Sequence, residues 1–287
     1  MAGLFPDVES VDQMEEIPES SGKVTVYSES RVRRNGWRKY KLEFMALPAG
    51  VAIFIGLWAL IAELGNYPTF ILPDPLTVFG KLVEITANGT LWYHSRATLI
   101  QILGGLALGL STATFLGYVL AKSPFLERLT GPYIVASQSI PAVAIGPLLI
   151  IWFGSGKLSK VLICALVVFF PVLINTIVGI RSVDSGLKTL MQSLRASRWQ
   201  TFFKLEVPAA LPVLLGGLKI GVTLSVIGAV VGEFIGADRG LGYLINLAKG
   251  LFNTPLMFAA FIALAVISLS LYLFVTALER WLLAWRR

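Results

Sequence analysis

Among the polar side chains inside the long apolar runs of this sequence, five are the candidates for contacting a solute. They are Gln138, Ser139, Asn175, Thr176 and Glu233. Polar groups are costly inside a membrane, so they normally face a helix bundle, a partner or a water-filled path. The four neutral residues are predicted either to line such a path or to form hydrogen bonds between helices. Glu233 is predicted either to contact a solute or to cap the glycine-rich segment that follows it.

The other reactive residue types are too few for catalysis. His94 is the only histidine and Cys164 the only cysteine, so the chain lacks a histidine metal cluster, a Ser–His dyad and an intrachain disulfide. The sequence contains neither an H-E-x-x-H motif nor a G-x-x-x-x-G-K-[ST] phosphate loop. We therefore predict no catalytic residue, no metal site and no cofactor in this chain, and an intramembrane enzyme is disfavoured.

Transmembrane helices are the elements that must position these residues. Of the 287 residues, 55% are hydrophobic and 14% are charged, whereas about 25% of residues are charged in soluble domains. A spanning helix needs about 20 mainly apolar residues, so the sequence predicts an all-α membrane protein with six spans. The predicted spans are 44–64, 97–121, 131–153, 158–180, 210–234 and 257–278.

The distribution of positive charge predicts the orientation of these spans. Most of the 24 lysines and arginines lie before the first span, in the loops after the second and fourth spans, and at the end of the chain. Cytoplasmic segments carry an excess of these residues, so both termini are predicted to be cytoplasmic. The same rule and anionic lipid explain the net charge of +7 without nucleic acid as a partner.

Segments outside the spans have distinct compositions. Residues 1–42 begin with a polar, acidic stretch and are predicted to form a disordered cytoplasmic tail, followed by a permease domain over 43–287. Residues 66–95, which include His94, are predicted to form an external loop with a short amphipathic helix. Residues 235–255 are rich in glycine and are predicted to form a re-entrant or gate-like segment on the outer side.

The loop 181–209 is the longest predicted cytoplasmic loop between spans. Helical spacing is followed by Leu187, Leu190, Met191, Leu194 and, a turn later, Arg198. The pattern predicts two short helices joined at Ala196-Ser197. One interpretation is an interfacial helix that rests on lipid headgroups. The other is a docking helix whose apolar residues fit the groove of a partner protein.

The stretch SLRASRWQTFFKLEVPAALPVLLGGLKIG resembles the cytoplasmic coupling loop of binding-protein-dependent ABC importer permeases. In this chain Arg195 occupies the position of the family's glycine, and Val207-Pro208 stands for its Leu-Pro. The segments IPAVAIGPLLIIWFG, FFPVLINTIVGIRSVD and VVGEFIGADRGLGYLI also resemble the family, in the same order. The chain is similar to the nitrate, sulfonate and taurine type, with a branch like the thiamine-precursor and riboflavin permeases.

This resemblance implies a permease subunit of the inner membrane that works with two cytoplasmic ATPase subunits, an extracytoplasmic solute-binding protein and a second copy of the chain. ATP and Mg would be bound by the ATPase. The residues expected to contact the ATPase are Leu190, Met191, Leu194, Arg195, Ala196, Ser197, Arg198, Trp199 and Pro208.

The resemblance does not identify the transported solute. A riboflavin or thiamine-precursor pyrimidine importer is one expectation, and a nitrate, sulfonate or taurine importer is the alternative. A stand-alone secondary transporter is disfavoured, because the sequence shows no internal repeat of the kind that builds many such proteins.

Overall fold

The computed structural model describes residues 36–284, without the side chains of residues 36–47 and 142. The predicted tail up to residue 35 lies outside the described residues, whereas residues 36–42 belong to the first helix. The described chain consists of helices joined by short connections, with no β-strand within residues 36–284. The helices are α1 (Gly36–Leu64), α2 (Pro75–Ala87), α3 (Thr90–Lys122), α4 (Pro124–Gln138), α5 (Ala142–Phe153), α6 (Lys157–Arg181), α7 (Ser185–Ser193), α8 (Arg198–Thr201), α9 (Val207–Gly236), α10 (Leu241–Gly250) and α11 (Thr254–Leu282).

Four continuous helices are long and apolar enough to cross a membrane. They are α3, α6, the helix running from Arg198 to Gly236, and α11. The pair α4 and α5 supplies a fifth candidate span if it is counted as one, and the apolar part of α1, from Pro48 to Leu64, is shorter. The all-α membrane architecture is therefore confirmed, while the sixth span rests on this shorter helix.

The sequence predicts a third span over 131–153, but the structure does not form one continuous helix there. The structure breaks it between α4 and α5, whose axes differ by 97°. Pro141 explains the position of this break, because proline lacks a backbone N–H and disfavours helical geometry at the residue before it. Gln138 and Ser139 therefore lie at the end of α4 rather than within a straight span.

Close packing of α3, α6 and α9 forms the centre of the described structure. A Cβ atom added at Gly109 of α3 would lie 2.7 Å from the carbonyl oxygen of Ala165 in α6, and one at Gly228 of α9 would lie 2.8 Å from the Cα atom of Cys164. Only glycine allows backbones to approach so closely, and small residues serve this purpose in membrane helices. Helix α6 is thus held between α3 and α9.

Helix α2 is the short helix predicted within the segment 66–95. Asp74 caps it by accepting hydrogen bonds from the backbone N–H (2.8 Å) and hydroxyl (2.6 Å) of Thr77, and Pro75 occupies its first turn. The same bonds hold the pKa of Asp74 below its usual range. Because α3 already begins at Thr90, the prediction that His94 lies in the loop is wrong.

Candidate functional site

Helices α7 and α8 follow one another in the chain between α6 and α9. The side chain of Asp184 caps α7 by accepting hydrogen bonds from the backbone N–H groups of Gly186 (2.6 Å) and Leu187 (3.1 Å). An Asp at this position satisfies N–H groups that the helix itself leaves unpaired. The chain therefore turns out of the long helix α6 and begins a new helix within a few residues.

The turn after α7 has the hydrogen bonds of a Schellman motif. The N–H of Ala196 donates to the carbonyl of Met191, and the N–H of Arg195 donates to the carbonyl of Gln192, both at 2.9 Å. Arg195 adopts a left-handed backbone, with φ of 52°. Glycine is the usual residue at this point of the motif. The geometry thus accounts for the glycine of the family pattern, which this chain replaces with Arg195.

Helix α8 begins with a capping box immediately after this turn. The Ser197 hydroxyl accepts from the N–H of Gln200 (3.2 Å), and the Gln200 side chain accepts from the N–H of Ser197 (2.8 Å). The predicted junction at Ala196-Ser197 is confirmed. Arg198 lies beyond this junction and is the first residue of α8.

We define the docking surface as four of the exposed apolar residues of α7, α8 and the turns that follow them: Leu190, Leu194, Trp199 and Phe203. The rings of Trp199 and Phe203 stack with centroids 5.8 Å apart. Met191 also belongs to α7, and its backbone carbonyl takes part in the turn described above. The structure thus brings most of the predicted coupling residues together at the end of the bundle where α6 ends and α9 begins.

The chain continues from α8 into α9 through a π-helical turn, Phe202–Glu206. Pro208 lies just after it and has no N–H to donate to the carbonyl four residues earlier. A wider π turn accommodates such a missing bond, and these turns occur frequently at functional sites. Pro208 is therefore part of a continuous helix from Arg198 to Gly236, not the residue that starts a separate span.

Glu206 in this turn is buried, with 2% of its surface exposed, and it is not among the residues predicted above to have a functional role. Its carboxylate accepts hydrogen bonds from the Tyr118 hydroxyl (3.2 Å) and the Lys122 ammonium group. Both donors belong to the last turns of α3. The signal in the sequence was a lone carboxylate in a basic loop beside a span, but its partners lie more than 80 residues away and no local pattern identifies them.

A second ion pair lies near the same end of the bundle. Arg181, the last residue of α6, donates to the carboxylate of Glu127 in the first turn of α4, with Nη1 and Oε1 2.5 Å apart. Two hydrogen bonds join these groups, and such bidentate pairs are geometrically specific. The helix pair α7–α8 is thus flanked by ionic contacts that reach α3 and α4.

Glu233 lies in a buried hydrogen-bond network at the opposite end of α9. Its carboxylate accepts from the hydroxyl of Thr98 (2.8 Å) and from the N–H of Gly242 at the start of α10 (2.6 Å). Thr98 also accepts from the N–H of Leu241 (2.8 Å), and Nδ1 of His94 accepts from the N–H of Gly240 (3.1 Å). Glu233 therefore caps the glycine-rich segment, which forms the helix α10.

The remaining polar residues proposed for a solute path occupy different environments. Exposed Gln138 lines a cleft of about 270 Å³ together with Pro141 and Phe170, and Ser139 is exposed beside it. The Asn175 amide donates to the carbonyl of Pro171 (2.8 Å). Thr176 is buried and donates to the carbonyl of Val172 (2.8 Å) in its own helix. The structure does not bring these four residues into one site with Glu233.

Comparison of this chain with known proteins identifies its family. The family described as "Binding-protein-dependent transport system inner membrane component" matches residues 105–284. The riboflavin transport system permease protein RibX of Chloroflexus aurantiacus is 46% identical over 86% of this chain and 92% of its own length. The formylaminopyrimidine transport permease protein ThiX of Halalkalibacterium halodurans is 35% identical, over 80% and 92%.

The taurine transport system permease protein TauC of Escherichia coli is 33% identical over 88% of this chain and 94% of its own length. Among solved structures, the inward-facing MetNI methionine ABC transporter has a TM-score of 0.58 at 18% identity, covering 65% of this chain and 93% of that one. This structural similarity supports the helical fold described above. The chain therefore belongs to the binding-protein-dependent transport system inner membrane components, and it is a permease subunit of an ABC importer.

Proposed function

We propose that this permease carries riboflavin or a thiamine-precursor pyrimidine across the inner membrane. The observation that supports this cargo is the order of the similarities. The relative named for riboflavin transport is 46% identical, and the one named for formylaminopyrimidine transport is 35% identical. The taurine permease, at 33%, supports the alternative of a nitrate, sulfonate or taurine-like anion.

We further propose that the docking surface binds the ATPase subunits of the importer. Trp199 and Phe203 present large aromatic side chains, which are enriched among the residues that dominate protein interfaces. The turn at Arg195 and the capping box at Ser197 fix the angle between α7 and α8, so the surface is preorganised. On this proposal α7 and α8 face the cytoplasm, in agreement with the distribution of lysine and arginine.

The ionic contacts around the docking surface connect the residues that flank α7 and α8 to other helices of the bundle, so a shift of α7 and α8 can move those helices. Glu206 connects the π-helical turn to Tyr118 and Lys122 of α3, and Arg181 connects α6 to Glu127 of α4. In the proposed mechanism, closure of the ATPases on ATP shifts α7 and α8, and these contacts carry the shift to the helices around the solute path. A second copy of the chain completes that path, and an extracytoplasmic binding protein delivers the solute.

The cargo is tested by reconstituting the permease in proteoliposomes with its ATPase and its binding protein. Uptake of radiolabelled riboflavin, a formylaminopyrimidine and taurine is measured with and without ATP. We expect ATP-dependent uptake of riboflavin or the pyrimidine. Uptake of taurine alone would favour the alternative cargo, and uptake without any ATPase would contradict the importer mechanism.

The ATPase contact is tested by the substitution Trp199→Ala. We expect at least a tenfold weaker association with the ATPase, measured by co-purification and by solute-stimulated ATP hydrolysis. Trp281→Ala is the matched control, because Trp281 is 74% exposed and Trp199 72%, and Trp281 lies in the last turn of α11 outside the docking surface. Equal behaviour of the two variants would show that Trp199 acts only as a membrane-interface residue.

A further inference from the structure

A polar cavity lies at the end of α6 remote from the docking surface. Its volume is about 380 Å³, and it is lined by residues of α3, of the start of α6 and of the segment that follows α9. The side chains that give it its chemical character are Gln101, Lys157, Lys160, Asp238 and Arg239. The volume falls within the range of about 300–1,000 Å³ of small-ligand pockets.

Two polar side chains of this cavity are almost completely buried. Lys160 is 2% exposed and Gln101 3% exposed. The Lys160 ammonium group donates to the carbonyl of Ser155, whereas Oε1 of Gln101 has no hydrogen-bond partner, alone among the buried side-chain oxygen and nitrogen atoms of the described residues. Native proteins rarely leave a buried polar atom unsatisfied. Because Oε1 of Gln101 is an acceptor, it calls for a ligand that carries a hydrogen-bond donor.

The cavity carries an excess of positive charge. Asp238 lies 3.5 Å from the guanidinium of Arg239, and among the described side chains neither Lys157 nor Lys160 has a carboxylate within 4.0 Å. The buried carboxylate of Glu233 is held instead by Thr98 and Gly242. Asp238 and Glu233 attract Lys160 from a longer distance. The three cations Lys157, Lys160 and Arg239 nevertheless outnumber the two carboxylates near this cavity.

The same cavity lies at the N-terminus of a long helix. Helix α6 begins at Lys157, and its N-cap residue, Gly156, has no side chain that could accept from the first N–H groups. Uncapped N–H groups and the positive end of the helix dipole favour an anion at this position. Ser155 and Gly156 also line the cavity, so the helix end and the buried side chains act on the same space.

We propose that this cavity is an oxyanion-binding site that accepts a phosphate group. Lys157, Lys160 and Arg239 supply positive charge, and the start of α6 supplies backbone N–H groups. Oε1 of Gln101 accepts a hydrogen bond from a hydroxyl of the bound group, which is the P–OH of inorganic phosphate or a hydroxyl of the lipid headgroup. The phosphate comes either from a free anion or from the headgroup of an anionic phospholipid, because the cavity opens where an apolar helix ends. The site is distinct from the docking surface and does not depend on which solute the importer carries.

The first test measures binding to the purified full-length permease in maltoside micelles. Inorganic phosphate is titrated at constant ionic strength with chloride, and short-chain phosphatidylglycerol is titrated in parallel against phosphatidylcholine. We expect a saturable rise in melting temperature with phosphate, with phosphatidylglycerol or with both. Phosphate alone identifies a free anion, and phosphatidylglycerol alone identifies a lipid headgroup. No saturable effect of either ligand would overturn the proposal.

Variants assign the binding to this cavity. Lys157→Gln and Arg239→Gln are expected to weaken binding at least tenfold, and both positions are exposed enough to leave the fold intact. Lys249→Gln is the matched control, because Lys249 is an exposed lysine of α10 outside the cavity. Equal affinity in all three variants would show that the anion binds elsewhere and would overturn the assignment.

Gln101→Leu provides an independent readout. The substitution removes the unsatisfied oxygen, so the ligand-free protein should melt at a higher temperature, while phosphate or phosphatidylglycerol should bind more weakly. A residue with a purely structural role would not change these two quantities in opposite directions. A lower melting temperature together with unchanged affinity would remove Gln101 from the site.

Discussion

At the scale of single residues, the carboxylate of Glu233 accepts hydrogen bonds from two elements that are far apart in the sequence. It joins the hydroxyl of Thr98 in α3 to the N–H of Gly242 in the first turn of α10. A buried carboxylate at membrane depth suggests a solute contact, but every hydrogen bond found here serves the start of α10. The capping role therefore accounts for its burial without a ligand.

We predict that Glu233→Ala destabilises the protein through α10. The substitution leaves the buried N–H of Gly242 without its acceptor, which costs about 1–3 kcal/mol. The Thr98 hydroxyl loses its shorter hydrogen bond but can still donate to the carbonyl of His94 (3.3 Å). Thermal unfolding of the purified permease measures the loss. Glu84→Ala, which removes an exposed carboxylate paired with Lys81, should change stability by less than about 1 kcal/mol. Similar effects of both substitutions would contradict the capping role.

At the scale of elements, the turn between α7 and α8 depends on the left-handed backbone of Arg195. This conformation costs a non-glycine residue about 1–2 kcal/mol, and a β-branched side chain tolerates it least. The motif nevertheless forms, because two backbone hydrogen bonds and the capping box of α8 hold the chain on both sides of Arg195.

We predict that Arg195→Gly preserves the turn and that Arg195→Val disrupts it. Glycine adopts the left-handed region freely, so Arg195→Gly should stabilise the turn by up to about 1 kcal/mol and retain solute-stimulated ATP hydrolysis. Valine should lower that activity, because it moves α8 out of position. Loss of activity in both variants would instead show that the guanidinium itself contacts the ATPase.

The connection between Glu206 and α3 leads to a prediction about an ion pair whose carboxylate is buried and whose ammonium group is partly exposed. Lys122→Met leaves the buried carboxylate without its cation. Because water screens the exposed lysine and Tyr118 still donates to Glu206, we expect a loss of about 1–3 kcal/mol. The double variant Lys122→Met with Glu206→Gln removes both charges and should recover much of this loss. Thermal unfolding of the two variants and the wild type measures the difference. Additive losses in the double variant would contradict a direct coupling of these residues.

Much of this architecture could be predicted from local sequence. Asp74 followed by Pro75 predicts the start of α2. The helical spacing of apolar residues around Leu190 predicts α7, and Ser197 followed by Gln200 three residues later is a capping-box signature. These signals lie within one turn of the structure that they specify. The presence of α2, α7 and α8 and the junction at Ala196-Ser197 follow from these local signals.

Features that depend on distant partners could not be predicted. Glu206 is explained only by Lys122, and His94 acts as an acceptor only because Gly240 folds back against α3. The 97° break after α4 was also missed. Pro141 is visible in the sequence, but prolines are tolerated within membrane helices when neighbouring groups satisfy the backbone, so its presence alone does not distinguish a kink from a break.

At the scale of the whole molecule, the proposed orientation predicts which loops face each side of the membrane. Leu194→Cys on the docking surface should react with a membrane-impermeant maleimide only from the cytoplasmic side. Ala87→Cys at the end of α2 should react only from the opposite side. The native Cys164 is fully buried and should stay unlabelled. Labelling of both positions from the same side would contradict the proposed topology.

The docking surface also has a consequence for how cells assemble the transporter. A permease inserted before its partner is available presents Trp199, Phe203 and Leu194 largely uncovered, and exposed aromatic patches promote aggregation. Orphan subunits should therefore be substrates for membrane quality-control proteases. Balanced synthesis of permease and ATPase would protect the newly made chain, so its half-life in vivo should lengthen when the ATPase is co-expressed.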